Sequence, residues 1–131
     1  MRWAAIVAAA AALACNSPSA PSTAVAGGYA LATVNGAKLP VTVTVAGATT
    51  TIESGSIDLS PDGAVVSHHT TRPSGATQSG TTSSTGTWAM VGSAIRLDMQ
   101  GADLAGSLSA TFASGALTVT VAQGRTERFA K

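Results

Sequence analysis

The side chains that could do chemistry are few, and their spacing constrains them. His68 and His69 are the only histidines, and they are adjacent. Neighbours on a β-strand point to opposite faces, so the pair cannot reach one metal ion without a bulge, and no His or Cys cluster elsewhere completes a site. The expectation is a solvated or rim position for both. The carboxylates Asp58, Asp62, Asp98, Asp103 and Glu127 stand singly, most of them beside turn residues or on outward-facing strand positions. Paired acid–base work would therefore need proximity that only the fold could create. Serine is abundant, but it lies in turns and in Ser/Thr faces without a nucleophile-elbow pattern. The glycines punctuate turns, and none forms a rich loop opening a helix that could cradle phosphate. The expectation is a protein that is not an enzyme and carries no metal or other cofactor.

The elements that must position these residues start with a stretch that does not join the fold. Met1-Arg2 leads into an apolar run, Trp3 to Leu13, and then Ala14 and Cys15, the chain's single cysteine. One positive charge, a short apolar core and a small residue before a cut are the parts of a secretory signal. The run is too short to span a bilayer, which takes about twenty residues. Ala12-Leu13-Ala14-Cys15 resembles the processing site of bacterial lipoproteins, and that resemblance implies lipid attachment at Cys15 after residues 1–14 are removed. It also implies a cell-envelope location held by an N-terminal lipid, and Asn16 resembles the pattern directed to the outer membrane. An exported chain with one cysteine can form no internal disulfide. Residues 15–27 are rich in Ser, Pro, Ala, Thr and Gly and read as a flexible tether.

Without Arg2 the side chains balance: Lys38, Arg72, Arg96, Arg125, Arg128 and Lys131 against Glu53, Asp58, Asp62, Asp98, Asp103 and Glu127. No basic stripe is present to neutralise phosphates, which argues against nucleic acid as a partner. Charged residues make up only 10% of the chain, against a typical ~25%. By length, residues 28–131 form one domain, expected as a monomer.

That domain reads as strand and turn throughout. Tyr29 to Val34 runs into Asn35-Gly36, a strong hairpin signal because both positions favour positive φ. Val41-Thr-Val-Thr-Val45 alternates without error, as a half-buried strand requires. Ser60-Pro61-Asp62-Gly63 is a turn built from Pro φ restriction, Asp side-chain capping and Gly. Thr49 to Glu53 and, after Ser54-Gly55, Ile57 to Leu59 read as two successive segments, and Ser74 to Gly86 reads as polar strand residues around a loose turn. Ile95, Leu97 and Met99 share a face, as do Leu104, Gly106, Leu108, Ala110 and Phe112, and again Leu117, Val119 and Val121. Arg125, Glu127 and Phe129 also share one, a mixture of charge and core that requires a mouth position or a bulge. Turn signals every eight to twelve residues, with connections short enough for adjacent pairing, predict an all-β, antiparallel up-and-down meander of about eight strands. Closing it into a barrel removes its bare edges.

Gly28-x-x-Leu31 with Tyr29 between, Val34-Asn35-Gly36 leading to Leu39-Pro40, Asp58 to Gly63, Gly86-Thr-Trp88, Leu104-x-Gly106 and Phe129 resemble small bacterial lipocalin-like lipoproteins of calycin type. A weaker likeness is to META/HslJ-type lipoproteins. In the lipocalin group an aromatic near the start of the first strand plugs one barrel end beneath an Arg from the last strand, which implies Tyr29 with either Arg125 or Arg128. The resemblance implies an anchored barrel binding a small hydrophobic ligand, with Tyr29, Trp88, Phe112 and Phe129 lining or plugging the interior. The alternative is a structural, interaction or inhibitor-type envelope lipoprotein with a filled core.

Overall fold

Strict alternation and positive-φ turns leave the described chain with little but strands. The computed structural model describes residues 23–45, 47–121 and 124–131, and these contain no α-helix. Ten strands follow in order: β1 (Gly27–Val34), β2 (Ala37–Lys38), β3 (Val41–Val45), β4 (Ala48–Leu59), β5 (Ala64–Pro73), β6 (Gly80–Val91), β7 (Ala94–Gly101), β8 (Gly106–Ala113), β9 (Ala116–Thr120) and β10 (Thr126–Ala130). From β4 to β10 each strand pairs antiparallel with the next, and β1 closes the circuit by pairing with both β10 and β4. Eight strands thus form a closed antiparallel meander, consistent with a lipocalin-like fold. At closure β1 and β4 pair only through Gly27–Ala30 and Ser56–Leu59. Beyond that they separate, and β2 pairs with the far end of β1 while β3 pairs with the far end of β4.

The turns obey their local chemistry. Asn35 and Gly36 take φ of 51° and 81°, and the Asn35 side chain accepts a hydrogen bond from the Thr126 amide at 2.9 Å, tying this hairpin to β10. At Ser60–Gly63 the Gly63 amide donates to the Ser60 carbonyl and Asp62 accepts from the Ala64 amide. The segments at Thr49 and Ile57 are a single twelve-residue strand whose register shifts at Glu53. That shift lets one strand serve β3 at one end and β1 at the other. Ser74 to Gly86 divides into a turn at 74–79 and strand from Gly80. On β3, Val41 and Val43 are half-buried while Thr42 and Thr44 face solvent, paired with Thr51 and Thr49 through hydroxyl contacts of 3.2 Å.

Inside, the barrel is layered. Tyr29, Ile57, Leu59, Val65, Trp88, Ile95, Leu97, Leu117 and Phe129 are buried in one apolar cluster. Register places the Ser60–Gly63 turn, the β6–β7 and β8–β9 turns and Val25 at the end toward which this cluster packs. Within the segment expected to be a tether, residues 24 and 25 contact the barrel: Val25 is buried, its carbonyl accepts the Tyr29 hydroxyl, and the Ala24 carbonyl accepts from Lys131 Nζ. That end is closed. Residues 1–22, which carry the expected signal and Cys15, lie outside the described residues.

Gly86 shows how tightly the wall is drawn. A Cβ there would stand 1.9 Å from the Asp98 carbonyl oxygen on β7, so only glycine lets β6 and β7 pair in this register.

Candidate functional site

Parity along β5 decides the site. Val65 points inward, and so therefore do Ser67 and His69, two and four residues on. His68 lies on the outer face and is exposed, while His69 is only 3% exposed. The rim or solvent position expected for both histidines thus holds for His68 alone. A buried imidazole needs partners for both ring nitrogens, and His69 has them. Nδ1 donates to Asp103 Oδ2 at 2.7 Å and Nε2 to Glu127 Oε1 at 2.8 Å.

The two carboxylates come from distant parts of the chain. Asp103 belongs to the β7–β8 loop, which folds into the barrel end opposite the closed one. Its Oδ2 also accepts the Ser67 hydroxyl at 2.8 Å, and its Oδ1 accepts Thr82 at 3.0 Å. The loop is held from below by Ser84, whose Oγ accepts the amides of both Asp103 and Leu104. Leu104, expected to begin a strand, precedes β8 and is nonetheless buried. Glu127 is fully buried on β10, and its Oε2 stands 2.9 Å from Arg125 Nη2. This last contact is an ion pair without hydrogen-bond alignment, and neither Glu127 Oε2 nor Arg125 Nε has a hydrogen-bond partner among the described residues. The shared parity of Arg125, Glu127 and Phe129 is therefore genuine: Phe129 joins the apolar layer and packs edge-on to His69, with Glu127 and Arg125 in the layers above it. The carboxylates expected to stand singly on outward positions are, in Asp103 and Glu127, an inward pair bridged by one imidazole.

Electrostatics follow from the geometry. Burial acts to lower the His69 pKa, but hydrogen bonds to Asp103 and Glu127 and the charges of both carboxylates outweigh it and raise the value from 6.5 to about 9. Burial acts to raise the Asp103 pKa. The His69 hydrogen bond and charge, with Ser67 and Thr82 donating, outweigh that and hold it below the usual carboxylate value. From Arg125 through Glu127 and the protonated His69 to Asp103, basic and acidic groups alternate. Loss of any one member of such a buried array is strongly penalised, because it leaves an uncompensated buried charge.

Above it lies a cavity of about 220 Å³ lined by Val43, Ala48, Thr50, Ile52, His69, Thr71, Thr82, Ala102, Asp103 and Arg125. It sits at the mouth, where β3, the start of β4 and the β7–β8 loop meet.

Comparison with protein-family models, with curated proteins and with solved structures finds no match.

The four aromatics expected to line or plug the interior divide between core and closed end, and none lines this cavity. Tyr29 and Phe112 meet edge to face at 6.3 Å. Trp88 Nε1 donates to the Ser60 carbonyl at 2.8 Å, and Phe129 is fully buried. The cation over Tyr29 is neither Arg125 nor Arg128. Lys131 Nζ lies 5.3 Å from the Tyr29 ring centroid and 5.8 Å from that of Phe112, because β10 ends beside the start of β1 and only its last residue reaches the closed end. Among the described residues no group of three or more His, Cys, Asp or Glu is arranged to hold a metal ion.

Proposed function

We propose that this protein is an exported envelope lipoprotein, anchored through Cys15, whose barrel binds a small ligand at its mouth. The observation that carries the binding reading is the division of the interior: one end is plugged by packed apolar side chains, while the other holds a cavity of about 220 Å³ floored by charged and hydroxyl groups. Binding sites are concave, with apolar walls and a few convergent polar groups, and this one combines Val43, Ala48 and Ile52 with His69, Thr71 and Arg125. Such a lining favours a small ligand carrying a polar group over a purely hydrophobic one.

Binding, rather than bond-making, is supported by how the reactive groups are committed. Both His69 nitrogens already donate to carboxylates, leaving no lone pair to act as a base. Ser67 gives its proton to Asp103 and not to His69, so its hydroxyl is not activated. The alternative, a structural or inhibitor-type lipoprotein with a filled core, draws support from the packed lower barrel. Against it, Val91 is the one exposed large hydrophobic among the described residues, which offers no apolar docking patch.

The test is native mass spectrometry of the protein released from producing cells in mild detergent. A bound small molecule is expected with the wild type and lost in Ala48→Trp, whose side chain fills the cavity from an exposed strand end. Identical spectra for both, with no adduct in either, would defeat the reading.

A further inference from the structure

Inside the mouth, the polar groups differ in what they have left to give. Asp103 and Glu127 are committed: the Asp103 oxygens take Ser67, His69 and Thr82, and the Glu127 carboxylate takes His69 and faces Arg125. His69 has donated both of its N–H groups. Arg125 is different. Its side chain is 22% exposed, it lines the cavity, and among the described residues only its Nη2 is engaged, by Glu127. A guanidinium carries five N–H donors in a planar fork suited to a carboxylate, so most of its donor capacity is unused. The hydroxyls of Thr50 and Thr71 line the same cavity and make no side-chain hydrogen bond among the described residues. What the mouth offers is unspent donors, set against the apolar surface of Val43, Ala48 and Ile52.

We propose, building on the ligand-binding reading above, that the mouth cavity takes a small monocarboxylate with a short apolar tail. Its carboxylate is held by the Arg125 guanidinium and the Thr50 and Thr71 hydroxyls, and its tail packs against Val43, Ala48 and Ile52. Size agrees: at about 30 Å³ per water-sized group, 220 Å³ holds about seven such groups. Charge sets the limit to one. A dianion such as phosphate would bring a second negative charge beside Asp103 and Glu127, with both His69 donors already taken. A cation would meet the Arg125 guanidinium, and the Asp103 carboxylate that lines the cavity is 4% exposed and already accepts from Ser67, His69 and Thr82.

The experiment is an amide chemical-shift titration of the protein with butyrate, 1-butanol, butylamine and inorganic phosphate at neutral pH. Butyrate is expected to saturate, with the largest shifts at Thr50, Thr71, Ala102 and Arg125, and 1-butanol to bind at least tenfold more weakly. Arg125→Gln should bring butyrate down to the 1-butanol level without altering 1-butanol itself. Thr71→Val leaves the ion chain intact and therefore guards against misfolding of the first variant, and it should weaken butyrate at least threefold. Equal binding of butyrate and 1-butanol, or tighter binding of butylamine or phosphate, would overturn the carboxylate assignment while leaving a ligand-binding mouth. No response to any of the four also overturns it, and an adduct in native mass spectra that disappears in Ala48→Trp would show that the broader reading survives.

Discussion

Raising the pH should remove the cation that joins two buried carboxylates, and the cost can be worked from the site. His69 is charged in the fold up to about pH 9, whereas in the unfolded chain it loses its proton near 6.5. A folded-state pKa raised above the unfolded value gives stability that is complete below about pH 6.5 and disappears as pH climbs through about 9. The rise is worth roughly 3 kcal/mol, a large share of the ~5–15 kcal/mol typical of a domain. The assay is urea denaturation at intervals from about pH 6 to 10, alongside direct titration of the His69 ring by NMR. Other groups also titrate in that range, so His69→Leu is the control. It should be less stable by roughly 3–5 kcal/mol at pH 6, because two buried carboxylates lose their shared partner, and the wild type's advantage over it should shrink as pH rises. An imidazole midpoint at or below 6.5, or an unchanging difference between the two proteins, would refute the alternating charge array.

Four further outcomes follow from other parts of the barrel. Acidification should weaken the fold as well, because the lowered Asp103 pKa contributes stability above its ordinary value of 3.8 that is lost as pH falls through the folded value; acid titration of Asp103→Asn against wild type measures it. Gly86→Ala should cost about 3 kcal/mol or abolish folding, since the Asp98 carbonyl occupies the position of the new methyl, and circular dichroism during denaturation reads the loss. Ser84→Ala should cost about 1–3 kcal/mol and release the β7–β8 loop, seen as lost hydrogen-exchange protection at the Asp103 and Leu104 amides. Cys15→Ser should move the protein from the detergent phase to the aqueous phase, and unchanged partitioning would contradict the anchor.

Much of the wall was legible because the strands alternate cleanly. Ile95, Leu97 and Met99 are inward and Arg96 and Asp98 outward, as their parity requires, and Asn35-Gly36 and Ser60–Gly63 turn as their residues dictate. The site was only half legible. Val65 and Val66 are adjacent and both apolar, so the parity of β5 was ambiguous, and with it the side on which His69 falls. On β6, Trp88 shares parity with Thr82 and Ser84, a signal that polar side chains share the interior with it. Glu127, placed between Arg125 and Phe129 on one face, was a further sign of a buried charge. What could not be read is Asp103, since a loop carboxylate reaches His69 only once the eight strands of the barrel have closed. The course of β1 was hidden for a similar reason: its pairing with β4 depends on the register shift at Glu53 and on the departure of β2 and β3 from the wall, neither of which has a local signature.

The plugged end is also where the chain enters the barrel. Val25 and Ala24 are bound beneath Tyr29 and beside Lys131, so the chain arrives at the base of the cup and its rim lies a full strand length away. If the preceding residues are held at a surface, the plugged base rather than the mouth is the end nearest the attachment. Were Cys15 lipid-anchored as proposed, the cavity would open on the side away from the attachment point, and a ligand would enter from there.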